Sequence, residues 1–173
     1  MDGDLLENPK LIIRNARPEE LDKVALLLKE AYEQYEKFMP PEIFQSYLED
    51  IMDVRSRLPE SDLIVAELDG HLAGTVTLYL RSSESRVWPE GWASVRLLGV
   101  LPAYRNQGVG QALMDECILR CKQEGIRVLG LHTTDAMATA KRMYERMGFK
   151  RVPEFDFHPR PGVVVMAYWY DIN

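Results

Sequence analysis

Apolar residues recur at helical spacing in two segments near the start of the chain. The first follows Arg17-Pro18-Glu19-Glu20, where a proline and two acids favour the beginning of a helix, and Met39-Pro40-Pro41 breaks it. Its predicted buried face consists of Leu21, Val24, Ala25, Leu28, Ala31, Tyr32 and Tyr35. A second helical pattern covers residues 43–57. The spacing therefore predicts two consecutive amphipathic helices.

Short runs of branched and aromatic residues predict strands further along the chain. Residues 63–68 and 72–80 flank Asp69-Gly70-His71, whose Asp-Gly pair favours a hairpin turn, so these two strands should pair antiparallel. Other strand-like runs cover residues 11–16, 95–100, 127–132, 149–155 and 162–170. Further helical patterns cover residues 109–124 and 135–147. Strands and helices therefore alternate in the second half of the chain.

This order of elements predicts an α/β (α+β) fold. Because the strand at 127–132 is reached from the strand at 95–100 through a helix, the two should run parallel. We expect a mixed central sheet of about six to seven strands, antiparallel apart from that pair and flanked by about four helices. A short tail at 1–9 should precede a single domain at 10–173. The polar loop at 81–91 is predicted to be mobile.

Composition and charge restrict the classes of function. The chain has 173 residues, of which 46% are apolar, enough for one hydrophobic core. Its net charge of −6 and pI near 5.2 disfavour nucleic acid and anionic membranes and mildly suit a cationic acceptor. The first residues lack a secretory signal, and no apolar run is long enough to span a bilayer. We therefore expect a cytoplasmic protein without a nucleic-acid or membrane partner.

The two cysteines, Cys117 and Cys121, lie on one predicted helix. Their spacing is poorly suited to a disulfide, and no neighbouring pair of cysteines or histidines completes a metal site. We interpret both as reduced packing residues, and no metal is expected.

The segment around residues 95–110 has the features of an anion site. A strand at 95–100 ends in the turn Leu101-Pro102-Ala103-Tyr104, and Arg105-Asn106-Gln107-Gly108-Val109-Gly110 begins a helix. The first amides of a helix have no partner and carry partial positive charge, which favours a negative ligand. Two glycines let a bulky phosphate approach the backbone, and Arg105 adds a full charge. The Walker ending and the third glycine of the dinucleotide fingerprint are both absent.

The remaining pattern, a strand followed by Arg-x-x-Gly-x-Gly and an amphipathic helix, resembles the coenzyme A signature of the GNAT acetyltransferase superfamily. A second segment, residues 140–149, resembles the superfamily's helix and strand near the C-terminus. The resemblance covers roughly residues 10–172. It implies that acetyl-CoA lies in a V-shaped gap between the fourth and fifth strands, here about 96–100 and 128–132. The residues that it implies for donor binding are Leu98, Gly99, Val100, Arg105, Asn106, Gln107, Gly108, Val109 and Gly110.

The resemblance also implies the reaction, in which an amine attacks the thioester directly and no covalent enzyme intermediate forms. A backbone amide near Gly99 or Val100 would stabilise the oxyanion, and Tyr144 would protonate the leaving thiolate. Tyr144 also belongs to an apolar helical stripe, in which a tyrosine is ordinary core. Met137 stands where many relatives have asparagine.

The sequence leaves the general base open. The fourth strand lacks the carboxylate that some relatives carry, and Arg96 is its one charged residue. An amine of pKa near 10.4 is mostly protonated at pH 7, so a route for its proton is required. The alternatives are water, His132, Glu90, Asp135, Glu154 and Asp156.

By the same resemblance, the first two helices and residues 154–160 build the acceptor pocket. The aromatic residues implicated are Tyr32, Tyr35, Phe38, Phe44 and Tyr47. Aromatics beside acids would suit a small cationic amine.

The sequence therefore predicts an acetyl-CoA-dependent N-acetyltransferase acting on a primary amine of a small molecule or peptide. A longer acyl donor and a catalytically silent acyl-CoA-binding or scaffolding module are the alternatives. A homodimer is a possible assembly, since dimers are common in this superfamily, although no segment identifies an interface.

Overall fold

A computed structural model describes residues 8–81 and 87–173 and gives those residues one seven-stranded sheet. Its strands are β1 Leu11–Asn15, β2 Asp62–Leu68, β3 His71–Tyr79, β4 Ala93–Val100, β5 Val128–Thr133, β6 Lys150–Arg151 and β7 Met166–Asp171. The order across the sheet is β1-β2-β3-β4-β5-β7-β6. Neighbouring strands are antiparallel except β4 and β5, which are parallel. The predicted mixed sheet with one parallel pair is confirmed.

Helices cover both faces of the sheet. They are α1 Leu21–Tyr32, α2 Pro41–Met52, α3 Val54–Arg57, α4 Val109–Gln123 and α5 Ala138–Met147. On one face, α4 and α5 pack on the larger core cluster, which includes Leu113, Leu129 and Tyr168. On the other face, α1, α2 and α3 enclose a second cluster that includes Leu28 and Ile51. The helices α1 and α4 thus bury most of the apolar positions that their sequence patterns predict, whereas α5 fully buries only Tyr144.

The hairpin between β2 and β3 forms where the sequence predicts it. Asp69 and Gly70 have φ of +51° and +85°, the left-handed conformations that a two-residue turn requires. Cys117 and Cys121, both on α4, are unpaired and fully buried in the core. Burial raises the pKa of both thiols. Their predicted packing role fits this environment.

Several predicted boundaries are wrong. The helical pattern at 43–57 is divided at Asp53 into α2 and α3, and the stretch at 135–137 is a 3₁₀ turn that precedes α5. The strand expected at 149–155 pairs only as β6, because Pro153 has no N–H for the sheet and begins a 3₁₀ turn. The strand expected at 162–170 begins only at Met166. The loop predicted at 81–91 falls partly on residues 82–86, which lie outside the described residues.

An ion-pair network joins β1 to the start of α1. Arg14 donates to both oxygens of Glu20 at 2.7 and 2.9 Å and to Glu67 at 2.9 Å. Glu20 also accepts the Arg17 amide at 2.8 Å. The hydrogen bonds from Arg14, opposed by burial, lower the pKa of Glu20 to about 2. These ion pairs hold the 3₁₀ turn Pro18–Glu20, which precedes α1, against β1 and β2.

Candidate active site

The parallel strands β4 and β5 separate soon after they begin. They pair only at Ala93 with Leu129 and at Ser94 with Gly130. Beyond Ser94, β4 continues to pair with β3, and β5 continues to pair with β7. The facing edges of β4 and β5 therefore diverge and leave a wedge-shaped gap. This is the V-shaped opening that the sequence predicted.

A bulge distorts β4 beside the gap. Leu97 has φ of +57°, which is rare for a bulky residue, and the register with β3 shifts at this point. The Leu97 side chain is buried under α1 and α2. The Tyr32 hydroxyl, at the end of α1, donates to the Leu98 carbonyl at 3.2 Å. The packing of α1 therefore holds the distorted strand in place.

Gly99 permits this close packing. A Cβ at this position would lie 3.2 Å from the Ala31 Cβ and 3.4 Å from the Leu28 Cδ2. Any side chain here would push α1 away from β4. The backbone at Leu98, Gly99 and Val100 is thus covered by α1 on one face and borders the gap at its edge.

The turn after β4 presents backbone amides at the mouth of the gap. Asn106 and Gly108 have φ of +62° and +79°, and Gly108 is the N-cap of α4. The first backbone bond of the helix runs from the Ala112 amide to the Gly108 carbonyl, so the amides of the first turn lack helical partners. A Cβ on Gly108 would meet no protein atom within 4 Å. This turn, with its unpaired helix amides and open surroundings, suits an anion such as a diphosphate.

Three side chains of the Arg-x-x-Gly-x-Gly segment, Arg105, Gln107 and Val109, contact the protein in different ways. The Arg105 guanidinium lies against the carbonyls of Val100 and Ala31, each at 3.4 Å, so its charge sits beside the turn and braces β4 against α1. Gln107 is exposed, and its amide donates to the Ala103 carbonyl at 3.4 Å. Val109 is buried in the core and anchors the first turn of α4.

Tyr144 lies on α5 with its ring packed against Phe149, at 5.7 Å between centroids. It is almost fully buried, and burial raises the pKa of its hydroxyl well above 10, with a smaller contribution from Tyr35. In the described part of the chain its hydroxyl makes no hydrogen bond. A tyrosine in this environment stays protonated throughout the neutral range and has a proton to donate.

A cavity of about 980 Å³ adjoins the gap. Its walls come from the end of α1, the α2–α3 region, β3, β4, the end of β5 and the segment before β7. Aromatic and ionisable residues in these walls include Tyr32, Tyr47, Glu60, Asp62, Tyr79, Arg81, Trp88, Arg96, His132 and Phe157. Leu97, Thr133 and Met137 also contribute. The cavity therefore reaches from the divergence of β4 and β5 to the outer loops.

His132 is the one candidate general base that borders this cavity among the described residues. Its Nε2 lies 2.8 Å from the Phe155 carbonyl, which can only accept, so Nε2 carries the proton and Nδ1 is the acceptor of the neutral ring. The ring packs against Trp88 in a tilted arrangement at 4.5 Å between centroids and meets Phe157 edge-on at 5.1 Å. Burial lowers its pKa, so the imidazole is neutral at pH 7.

The four carboxylate candidates lie elsewhere. Asp156 binds both terminal nitrogens of Arg151 at 2.6 and 2.7 Å, and these hydrogen bonds lower its pKa. Asp135 is 87% exposed and pairs with Lys141. Glu90 and Glu154 are exposed and are absent from the cavity walls.

The predicted aromatic pocket is only partly assembled. Tyr32 and Tyr47 line the cavity, whereas Phe44 is buried in the core under α1 and Phe38 points outward beside Lys37. Trp88 is a wall residue that the sequence reasoning missed, because it lies in a loop without periodicity.

Among residues 8–81 and 87–173, no group of three or more histidine, cysteine or acidic side chains could hold a metal ion. No helix in that part of the chain is long and apolar enough to cross a bilayer.

Comparison with known proteins identifies the class. The model of the acetyltransferase (GNAT) family matches residues 24–149. The chain belongs to this family, and its seven-stranded sheet with the diverging parallel pair is the GNAT fold.

Individual proteins that resemble this chain share a third or less of its sequence over the matched residues. A Bacillus subtilis (strain 168) protein, whose name proposes it to be an alanine N-acetyltransferase of ribosomal protein bS18, is 25% identical over 95% of this chain and 97% of its own. A mycothiol acetyltransferase from Propionibacterium freudenreichii is 32% identical over 58% of this chain and 33% of its own. The PaiA N-acetyltransferase of Thermoplasma acidophilum, solved with coenzyme A, has a TM-score of 0.72 at 19% identity and covers 93% of this chain and 99% of its own.

Proposed function

We propose that this protein is an acetyl-CoA-dependent N-acetyltransferase that acetylates a primary amine of a small molecule or peptide. The observation that carries the proposal is the divergence of β4 and β5 beyond Ser94, which opens towards the amide-rich turn before α4. An extended pantetheine chain could pair with the free edge of β4, and its diphosphate could meet the turn. The relatives support an amine acceptor, since one is named for a protein substrate and another for mycothiol.

The donor would be held mainly by backbone. Leu98, Gly99 and Val100 would bind the pantetheine arm and the thioester through the free edge of β4. The diphosphate would meet the turn formed by Arg105, Asn106, Gln107, Gly108, Val109 and Gly110. In this assignment Arg105 acts through its position beside the turn, and Val109 acts by fixing the helix in the core.

The thioester supplies an acetyl carbonyl: the amine nitrogen forms a bond to that carbon, the carbon–sulfur bond breaks, and the sulfur leaves with its electron pair. An amide of Gly99 or Val100 would stabilise the oxyanion. Tyr144 would then protonate the thiolate, since a tyrosine hydroxyl is already protonated at neutral pH at its ordinary pKa of about 10, and solvent would return the proton to the phenolate.

His132 is the residue we assign as general base. Its Nε2 donates to the Phe155 carbonyl, which leaves Nδ1 to accept a proton from the incoming amine. The Trp88 ring, tilted against the imidazole at 4.5 Å between centroids, helps to hold its orientation in the cavity wall. The lowered pKa of His132 keeps Nδ1 available at neutral pH.

The experiment is free-thiol release from acetyl-CoA over a panel of amino acids, polyamines, aminoglycosides and short peptides. Turnover with one class supports the proposal, whereas acetyl-CoA binding without turnover on the whole panel favours the silent module. His132→Gln should lower kcat/KM by about 10²–10⁴ at pH 7 and remove the acidic limb of the pH profile. His71→Gln, an exposed histidine outside the cavity walls, is the matched control. An unchanged acidic limb in His132→Gln refutes the assignment.

A further inference from the structure

The Arg96 guanidinium faces the cavity with few partners. Arg96 lies on β4, and its side chain is 50% exposed. It makes one ion pair, from Nη2 to the Asp50 Oδ2 at 3.6 Å, which is too long for a good hydrogen bond. The Arg96 side chain makes no hydrogen bond to another described residue. Most of its five N–H donors are therefore available to a ligand.

Arg96 shares the cavity wall with Tyr47 and His132. Burial raises the pKa of Tyr47 to about 12, and the positive charge of Arg96 opposes that rise. Burial lowers the pKa of His132, opposed by the Phe155 carbonyl and Asp156, and Arg96 makes a smaller lowering contribution. Because all three residues line the same cavity, a molecule bound there can meet the guanidinium.

The other charges around the described part of the cavity are mixed in sign. Asp62 is engaged by Arg120 at 3.2 Å. Arg81 adds a second positive charge to the wall, Glu60 adds a negative one, and Asp50 lies 3.6 Å from Arg96. Arg96 and Arg81 therefore offer positive groups to an anionic substituent of the acceptor.

We propose that the acceptor is a small amine that also carries a carboxylate, and that Arg96 binds this carboxylate. This inference rests on the proposed acetyltransferase function of the same site. A planar carboxylate could accept two parallel N–H bonds and replace the long contact with Asp50. Arg96 lies two residues before Leu98 on β4, so the guanidinium and the strand edge that would hold the thioester belong to one short stretch of the chain.

The test compares amines that differ only in charge. We would measure kcat/KM for 4-aminobutyrate, butylamine and 1,4-diaminobutane, and for glycine against glycinamide. Charge-assisted hydrogen bonds predict a preference for the carboxylate compounds of roughly 10- to 100-fold. Arg96→Gln should abolish this preference, and Arg96→Lys should retain part of it. Equal or better use of butylamine or the diamine, or a preference that survives in Arg96→Gln, overturns the proposal.

The control variant is Arg55→Gln, which removes another exposed, ion-paired arginine outside the cavity walls and should leave the preference unchanged. Thermal unfolding of each variant verifies that it is folded.

A binding readout separates this inference from the reaction. The three tryptophans form one stack, Trp88 on Trp92 at 5.7 Å and Trp92 on Trp169 at 6.3 Å, and Trp88 lines the cavity. Titration with 4-aminobutyrate should change tryptophan fluorescence saturably in the parent protein and at least tenfold more weakly in Arg96→Gln. This result without any acetyl transfer would retain the carboxylate site and reject the proposed function. No saturable change, together with no transfer to carboxylate amines, rejects the carboxylate site.

Discussion

Gly108 offers the sharpest test of the donor site, because its conformation and its surroundings make separate predictions. Its φ of +79° costs an alanine about 1–2 kcal/mol, whereas the added Cβ would touch no protein atom within 4 Å. Gly108→Ala should therefore lower the melting temperature by roughly 2–8 °C through backbone strain. The new methyl group would project into open space at the turn, where we place the diphosphate.

The effect on donor binding follows from the amides at this turn. Displacing the diphosphate from one charge-assisted hydrogen bond would cost about 1.5–3 kcal/mol. This corresponds to a roughly 10- to 150-fold increase in the Kd of acetyl-CoA. Isothermal titration calorimetry measures this constant directly and requires no acceptor.

The same helix provides a matched control. Gly125 follows the C-terminus of α4, has φ of +70°, and also has no protein atom within 4 Å of a Cβ. Gly125→Ala should lose similar stability and leave the Kd for acetyl-CoA unchanged. If both variants lose the same affinity, or if Gly108→Ala binds as the parent protein does, the proposed diphosphate site is wrong.

Two further predictions concern the leaving group and the fold. Tyr144→Phe should lower kcat by about 10²–10⁴ without changing acetyl-CoA affinity. The control is Tyr170→Phe, which alters a partly buried tyrosine on β7 and should leave kcat unchanged. An unaltered rate in Tyr144→Phe at saturating substrates excludes Tyr144 as the acid. Because Arg14 lowers the pKa of Glu20 to about 2, Glu20 stabilises the fold above pH 4.5 and loses this contribution as the pH falls towards 2. Glu20→Gln should be less stable at pH 6 by urea unfolding and should lose less stability between pH 6 and pH 3; parallel losses in the two proteins would contradict this role.

The donor half of the site could be predicted from sequence because it is local. One strand, one turn and one helix start within about fifteen residues contain the glycines, the arginine and the unpaired amides. The sequence could not specify how these residues are used. Arg105 is predicted to place a full charge beside the phosphate, and its guanidinium also lies 3.4 Å from the carbonyls of Val100 and Ala31, a contact between elements that the sequence does not reveal.

The acceptor half could be predicted only in part, and through the family resemblance, because distant segments assemble it. Tyr47, Trp88, His132 and Phe157 become neighbours only after the sheet has formed. Their aromatic character also suits a hydrophobic core, and Phe44 does pack there. One local signal was present: Arg96 is the sole charge in an otherwise apolar strand, and such a residue needs a partner or a ligand.

The two edges of β4 explain how one strand can serve both structure and chemistry. One edge pairs with β3 along nearly its whole length, while the other is free beyond Ser94. The strained conformation of Leu97 costs about 1–3 kcal/mol, and burial of its side chain under α1 and α2 returns a similar amount. Core packing therefore holds the distorted strand before any donor binds, so acetyl-CoA would meet a preorganised edge. Because the cavity walls opposite this edge come largely from loops and helix ends, acceptor specificity can change without disturbing the donor site.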